Sequence, residues 1–264
     1  MELGLCIEMA WTALPFMDRL AMAADAGLRN VEMWFVDGSY QGPPDTLACR
    51  ADSLGLRITN TVIGAPDGSV GGGLINPERR ADWLDRTRMT LAFTRDAGIG
   101  ATIVCTGNAQ PAMSDEHIRS SVLDGLKATV DMAESFGVNL LLEPLNTRYD
   151  HPGYWLASSD LAAELCREVD SSRLKVLFDC YHMQIMEGDL WNHIERNLDV
   201  IGHFHAAGVP GRHEPQTGEV NYPYLLTRLR HNGYTGMFGL EYAPSCEPSH
   251  SVRTTLDYLA PWLT

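Results

Sequence analysis

Short apolar runs of strand length alternate with longer helix-like segments from one end of the chain to the other. Most of these runs are continuously apolar, which is typical of parallel strands that are covered on both faces. We therefore predict eight strands in a regular strand–helix alternation. They run over Leu3–Met9, Asn30–Trp34, Leu56–Val62, Ala101–Thr106, Val138–Glu143, Leu174–Asp179, Val200–His205 and Met237–Tyr242.

The segments between these runs have the features of helices. Leu161, Leu165 and Val169 recur at every fourth position, which gives that segment one apolar face. Asn76 and Ser114 are favourable helix starts, because each side chain can cap free backbone N–H groups and acidic residues follow it. Five helical segments end in a glycine, which can adopt the left-handed conformation that terminates a helix: Gly27, Gly55, Gly98, Gly137 and Gly233.

Eight rounds of strand and helix predict one α/β domain, a single (β/α)₈ TIM barrel over residues 1–264. A doubly wound open sheet is the rival architecture, but no GxGxxG motif follows the first predicted strand. The length suits one large domain, and the sequence contains no visible linker or low-complexity segment.

Charge and composition restrict the partners of this chain. Twenty basic and 34 acidic residues give a net charge of −14, with no basic run, so we expect a small-molecule substrate and no nucleic acid. The six cysteines are scattered without a CxxC pair, which indicates a reducing compartment. The N-terminus lacks the basic start of a secretory signal, and no apolar stretch predicts a membrane span. We expect a cytoplasmic protein; homo-oligomerisation stays open.

The last four predicted strands all carry a charged or imidazole side chain at their last or next-to-last residue. In a TIM barrel, strand ends of this kind meet at one mouth, where the active site lies. A single strand-end acid or histidine could be a helix cap or a structural residue, but several carboxylates at one mouth repel each other and are costly to bury. One divalent cation resolves both problems, and oxygen with nitrogen ligands suits Mn²⁺ or Mg²⁺, with Co²⁺ as a further candidate. The predicted metal ligands are Glu143, Asp179, His205 and Glu241.

Four residues near the same mouth allow two interpretations. Glu8 and Asn60, at the ends of the first and third predicted strands, either contact substrate or make structural hydrogen bonds, and we favour the structural interpretation. Trp11 and Trp34, at or just beyond the ends of the first two strands, either line the pocket or pack in the core, with a slight preference for packing.

The spacing of motifs around these strand ends resembles the hydroxypyruvate isomerase family. The resemblance covers nearly the whole chain and is densest from residue 138 to residue 242. That family belongs to the barrel superfamily that also holds xylose isomerase-like enzymes, ketose 3-epimerases and endonuclease IV. The motifs are Glu143-Pro-Leu-Asn146, Phe178-Asp-Cys-Tyr-His182-Met-Gln, His205 with Val209-Pro-Gly-Arg212-His-Glu-Pro, and Gly239-Leu-Glu241-Tyr.

The resemblance implies a role for each matched residue. Glu143 and Glu241 match two catalytic glutamates, which also bind metal in the epimerase relatives, and Asp179 and His205 match the further metal ligands. Substrate contacts are implied for two more positions, His182 and Arg212. By itself His182 could cap a loop and Arg212 could be a solvated loop residue, but a substrate carboxylate or phosphate requires a bidentate donor of the arginine type.

The resemblance and the strand-end ligands together predict a metal-dependent isomerase of carbohydrate metabolism. It would convert hydroxypyruvate to tartronate semialdehyde through an enediolate, with the two glutamates as acid and base. The chain departs from the family at His205, where hydroxypyruvate isomerases carry Gln and ketose 3-epimerases carry His, so a ketose 3-epimerase or another sugar isomerase is the alternative. An endonuclease IV-like nuclease is a remote alternative, because it needs more histidine ligands and a basic groove.

Overall fold

The computed structural model describes residues 1–263; Thr264, with which the predicted domain ends, lies outside the described residues. A single parallel sheet dominates the described chain, with the spatial order β3-β2-β1-β9-β8-β7-β6-β5-β4. Its strands are β1 (Glu2–Cys6), β2 (Asn30–Glu32), β3 (Arg57–Ile58), β4 (Asn60–Val62), β5 (Ala101–Val104), β6 (Asn139–Leu142), β7 (Leu174–Asp179), β8 (Ile201–Ala206) and β9 (Met237–Leu240).

The sheet closes on itself through its third predicted strand, which the structure divides into β3 and β4 at Thr59. β3 pairs with β2 and β4 pairs with β5, so this interrupted strand joins the two ends of the strand order. The backbone N–H of Thr59 still donates to the carbonyl of Val31 at 2.9 Å, and the N–H of Met33 donates to that of Asn60 at 3.2 Å. The predicted TIM barrel is therefore confirmed, with an irregular third strand in place of a continuous one.

Helices cover the outside of the barrel and begin and end largely as the sequence predicts. The side chain of Ser114 caps its helix at the N–H of His117, and that of Asn76 caps the short 3₁₀ turn Pro77–Arg79 that precedes a long helix. The five predicted terminating glycines all have positive φ, between +66° and +93°. The helices are α1 (Phe16–Asp25), α2 (Pro44–Ser53), α3 (Arg80–Asp96), α4 (Asp115–Phe136), α5 (Ser159–Val169), α6 (Cys180–Met186), α7 (Leu190–Asn197), α8 (Tyr222–His231) and α9 (Pro248–Leu259).

Side-chain alternation along the strands separates the packed shell of the barrel from its interior. Phe178, Phe204 and Phe238 occupy paired positions on β7, β8 and β9, with ring centroids 5.9 and 6.0 Å apart, and Tyr222 of α8 packs against Phe238. The neighbouring row of paired positions, one residue further along each strand, contains Asp179, His205 and Gly239. Because successive side chains point to opposite faces, this row faces the barrel interior.

Among the described residues, no helix is both long enough and apolar enough to cross a membrane.

Candidate metal centre and active site

Four predicted metal ligands come together at the carboxyl end of the barrel. Asp179 and His205 lie on β7 and β8, while Glu143 and Glu241 directly follow β6 and β9. These strands are neighbours in the sheet, so their ends share one side of the barrel mouth. All four side chains are buried, and one ligand atom from each lies within 4.8 Å of those of the other three. The arrangement is one in which a single cation can contact all four.

Three of these ligand atoms have no hydrogen-bond partner although they are buried: Oε1 of Glu143, Oδ2 of Asp179 and Nδ1 of His205. The Nδ1 atom of His205 lies 3.5 Å from Oε1 of Glu143 and 3.3 Å from Oε2 of Glu241. Unpaired buried polar atoms are costly, and native structures contain few of them. These three atoms belong to the set that lies within 4.8 Å of one another, and oxygen and nitrogen donors in this combination would suit a hard divalent cation.

Glu32 fixes the orientation of the imidazole in this cluster. Its Oε2 lies 2.7 Å from Nε2 of His205, and its Oε1 lies 3.0 Å from Nε2 of His203. Burial alone would raise the pKa of Glu32, but the two imidazoles outweigh it and lower this pKa to about 2. With Nε2 of His205 bonded to a carboxylate, Nδ1 is left to face the other ligands, as in carboxylate–histidine–metal triads.

Glu32 and His203 were not predicted as parts of the site. A carboxylate between Val31 and Met33 in a predicted strand was the available signal, because such a charge requires a buried partner. Gly239 makes room for this pair: a Cβ there would lie 2.3 Å from Oε1 of Glu32 and 2.7 Å from Cδ2 of His205. A side chain at position 239 is therefore incompatible with the Glu32–His205 contact.

The two carboxylate oxygens of Asp179 have different roles, one in capping a helix and one in the ligand cluster. Oδ1 accepts from the backbone N–H groups of Tyr181 at 2.7 Å and His182 at 3.3 Å, and so caps α6. Oδ2 stays free and points towards the ligand cluster. Burial raises the pKa of Asp179 to about 7, although Arg212 and His205 oppose this shift. The cap fixes the carboxylate from behind and leaves one oxygen for a ligand.

The two glutamates have different surroundings. Glu241 accepts from the indole of Trp34 at 3.0 Å and from Nη2 of Arg212 at 2.5 Å. Burial opposes ionisation of Glu241, but Arg212 and then His205 hold its pKa well below the usual range. Burial raises the pKa of Glu143, against the opposing effect of His205. One carboxylate is thus held by donors, while the other keeps an oxygen free.

A compact cavity of about 180 Å³ lies against this cluster. Glu143 and Glu241 form part of its wall, and His182 and Arg212, the two predicted substrate contacts, line it as well. Arg212 keeps its Nε buried without a hydrogen-bond partner, so a donor is available there to an anionic group. The rest of the wall is largely apolar: Trp34, Phe35, Val62, Pro66, Ile103, Cys105, Leu145 and His151.

The four ambiguous residues divide between the site and the core. Trp34 lines the cavity and donates to Glu241, so the preferred packing role was wrong for it. Glu8 bonds to Arg19 and Ser39 and does not line the cavity. Two others also make structural hydrogen bonds away from the cavity: Asn60 accepts from Thr59, and Trp11 donates to Ser249.

Comparisons with known proteins find relatives that match nearly the whole chain. The family model described as "Xylose isomerase-like TIM barrel" matches residues 20–262. A 2-oxo-tetronate isomerase of Cupriavidus necator is 36% identical over 261 residues, covering 97% of this chain and 96% of that protein. The hydroxypyruvate isomerase of Escherichia coli is 31% identical, covering 94% and 95% respectively.

Solved structures also match nearly the whole chain. An AP endonuclease, family 2, from Brucella melitensis is 28% identical with a TM-score of 0.88, and covers 98% of each chain. A D-psicose 3-epimerase is 19% identical with a TM-score of 0.83, and covers 100% of this chain and 99% of its own. At that identity the second likeness shows the fold alone.

Proposed function

Because this chain belongs to the xylose isomerase-like TIM barrel family, and within it to the hydroxypyruvate isomerases, we propose that it isomerises a small hydroxy-keto acid. The observation that supports this most directly is the convergence of four buried ligand atoms beside a compact cavity. We propose one divalent ion, Mn²⁺ or Mg²⁺, with Co²⁺ as a further candidate, held by the carboxylates and imidazole of Glu143, Asp179, His205 and Glu241.

The reaction needs a proton to move between adjacent carbons. Conversion of hydroxypyruvate to tartronate semialdehyde removes a proton from C3, passes through an enediolate and returns a proton to C2, while the hydroxyl proton moves from O3 to O2. A cation held by these four residues would supply Lewis-acid stabilisation of the negative charge that develops on the substrate. Glu143 and Glu241, which follow the outer two of the four adjacent strands, act as the proton carriers. A carboxylate is a suitable carrier because it accepts and donates without leaving its position.

The contacts of Arg212 support the proposal that the substrate is an acid. Its Nη2 bonds to Glu241, while its Nε is buried and unpaired beside the cavity. A substrate carboxylate would satisfy that donor with a charge-assisted hydrogen bond. The apolar wall and the small volume favour a short substrate of three or four carbons over a long one.

An assay panel tests this proposal directly. Hydroxypyruvate, tartronate semialdehyde, 2-oxo-tetronate and free four- to six-carbon ketoses are each incubated with the enzyme, with and without added metal. We expect turnover of the acids, greatest for one of the first three. Turnover of ketoses alone would support the second candidate, a ketose 3-epimerase, which His205 favours because those enzymes carry His at this position.

A nuclease activity is opposed by the charge of the chain. A net charge of −14 repels the phosphate backbone, whose neutralisation dominates nucleic-acid binding. Incubation with a duplex that contains an abasic site should give no cleavage. All six cysteines are free in the described residues, which supports a reducing compartment, and we propose the cytoplasm.

A further inference from the structure

His182 is buried in α6, and its two ring nitrogens have different surroundings. Nδ1 lies 3.2 Å from the backbone nitrogen of Asn146 and 2.7 Å from its side-chain Nδ2. Nε2 has no hydrogen-bond partner and lies 3.5 Å from Oδ2 of Asp179. A buried polar atom without a partner, beside the ligand cluster and the cavity, is available to a bound molecule.

Backbone groups fix the orientation of the Asn146 amide. Its Oδ1 accepts from the N–H groups of Tyr149 at 3.0 Å and Asp150 at 3.1 Å, two contacts that an NH₂ group could not make. The amide nitrogen must therefore point the other way, where it meets Oδ2 of Asp150 at 2.5 Å and the ring of His182. The hydroxyl of Tyr181 donates to the same oxygen of Asp150 at 2.9 Å and fixes it further.

This orientation determines the tautomer of His182. Both groups of Asn146 that face Nδ1 are N–H donors, so Nδ1 must be the acceptor, and the proton of a neutral ring must be on Nε2. We propose that Asn146 is a positioning residue, which makes His182 a hydrogen-bond donor to a substrate oxygen through Nε2. The identity of that oxygen rests on the proposed function, whereas the tautomer does not.

In this tautomer, His182 can play one role and cannot play two others. A ring nitrogen that carries a proton has no free lone pair, so Nε2 is neither a fifth metal ligand nor a base towards the substrate. An N–H donor fixed in a buried site is instead suited to an oxygen on which negative charge develops. The loss of one such donor typically lowers turnover by roughly 10²–10³-fold.

Nitrogen-15 NMR of protein labelled at histidine reads the tautomer without any assay of activity. The signals of His182 are assigned by their loss in His182→Gln. We expect Nε2 to be protonated and Nδ1 unprotonated in wild type, both without metal and with saturating Mg²⁺. Protonation at Nδ1 in wild type, or loss of the Nε2 proton when Mg²⁺ binds, would overturn the proposal.

Two variants of Asn146 separate positioning from packing. Asn146→Asp keeps the shape but places an acceptor oxygen at the shorter of the two contacts to Nδ1, 2.7 Å against 3.2 Å for the backbone N–H, so Nδ1 should gain a proton. In Asn146→Ala the backbone N–H still donates to Nδ1, so the wild-type tautomer should persist. The same NMR state in both variants would show that the Asn146 side chain only fills space.

His182→Phe and His182→Gln test the donor itself. Gln can still offer an N–H group near the position of Nε2, whereas Phe cannot. We expect kcat on the best substrate of the panel to fall about 10²–10³-fold for Phe and clearly less for Gln. Equal losses would overturn the donor role. If no substrate is turned over, the proposed function fails, and the NMR result still decides the tautomer.

Discussion

The Oε2 atom of Glu32 lies 2.7 Å from Nε2 of His205, on the side of the ring opposite to the candidate metal ligands. The same carboxylate holds His203 through its other oxygen. Glu32 is thus placed behind the cluster, where it determines which nitrogen of His205 faces Glu143 and Glu241. A residue in this position can affect metal binding without contacting the metal.

Glu32→Gln should weaken divalent metal binding about 10–100-fold, the usual cost of losing a partner behind a metal ligand. Calorimetric titration of the metal-free protein with Mn²⁺ measures the change. The matched control is His203→Gln, which removes the other partner of Glu32 but leaves its bond to His205. We expect the control to bind Mn²⁺ more tightly than Glu32→Gln; the opposite order would contradict this role of Glu32.

Metal removal should abolish isomerase activity. Without a cation, the negative charge that develops on the substrate would not be stabilised, although Glu32 and the α6 cap still hold His205 and Asp179 in place. The measurement is turnover after exhaustive chelation and after addition of Mn²⁺, Mg²⁺ or Co²⁺, with metal content verified by elemental analysis. Full activity in a verified metal-free sample would contradict the mechanism.

Glu143→Gln and Glu241→Gln should each lower turnover by at least roughly 10²–10⁴-fold, because each change removes a proton carrier while it keeps the shape. Metal occupancy should fall only in part, since the amide retains one oxygen. Exchange of solvent deuterium into the substrate reports on proton removal directly. Exchange at the wild-type rate in a metal-loaded variant would reduce that glutamate to a ligand.

Asp179→Asn and His205→Gln should act mainly through metal affinity, so that excess cation restores part of the activity. In His205→Gln the amide can direct its oxygen to the cluster and its NH₂ group to Glu32, and we expect this variant to remain folded and active at high metal. Activity measured against Mn²⁺ concentration checks both variants. A loss that no metal concentration reverses would assign these residues a role beyond binding.

Arg212→Ala should lower kcat/KM far more for acids than for neutral sugars, because Arg212 lines the cavity with an unpaired Nε and only the acids carry a carboxylate for it. Arg212→Lys is the matched control, since it keeps the positive charge and the same strained backbone at φ +56°. We expect Lys to recover part of the loss on acids. An equal loss on both substrate classes would indicate that Arg212 acts through Glu241 or the loop alone.

The strands could be predicted because the apolar pattern that marks a buried strand lies within its own residues. A strand covered on both faces must be apolar throughout, and Leu174–Asp179 was predicted with the bounds that the structure has. The interruption at Thr59 was not predictable, because it depends on how β2 and β5 pair with either side of it. The hydrophobic pattern of a strand does not determine which residues of the neighbouring strands it pairs with.

The positions of the predicted ligands could also be found from the sequence, since each lies at or next to the end of its strand. The contact of Glu32 with His205 could not be found in this way, because it depends on the curvature of the barrel and on the space left by Gly239. For the same reason the sequence could not decide between the two interpretations of Trp34: its indole reaches Glu241, 207 positions away in the sequence.

The pairing of β9 with β1 has a consequence for how this protein is made. Glu241 follows β9, the last of the strands in chain order, and β9 closes the barrel against the first strand. During synthesis, in which N-terminal parts fold first, Glu143, Asp179 and His205 leave the ribosome before the fourth ligand. The nascent chain therefore cannot assemble the complete ligand set before β9 has emerged, and the proposed metal site is completed only after that strand.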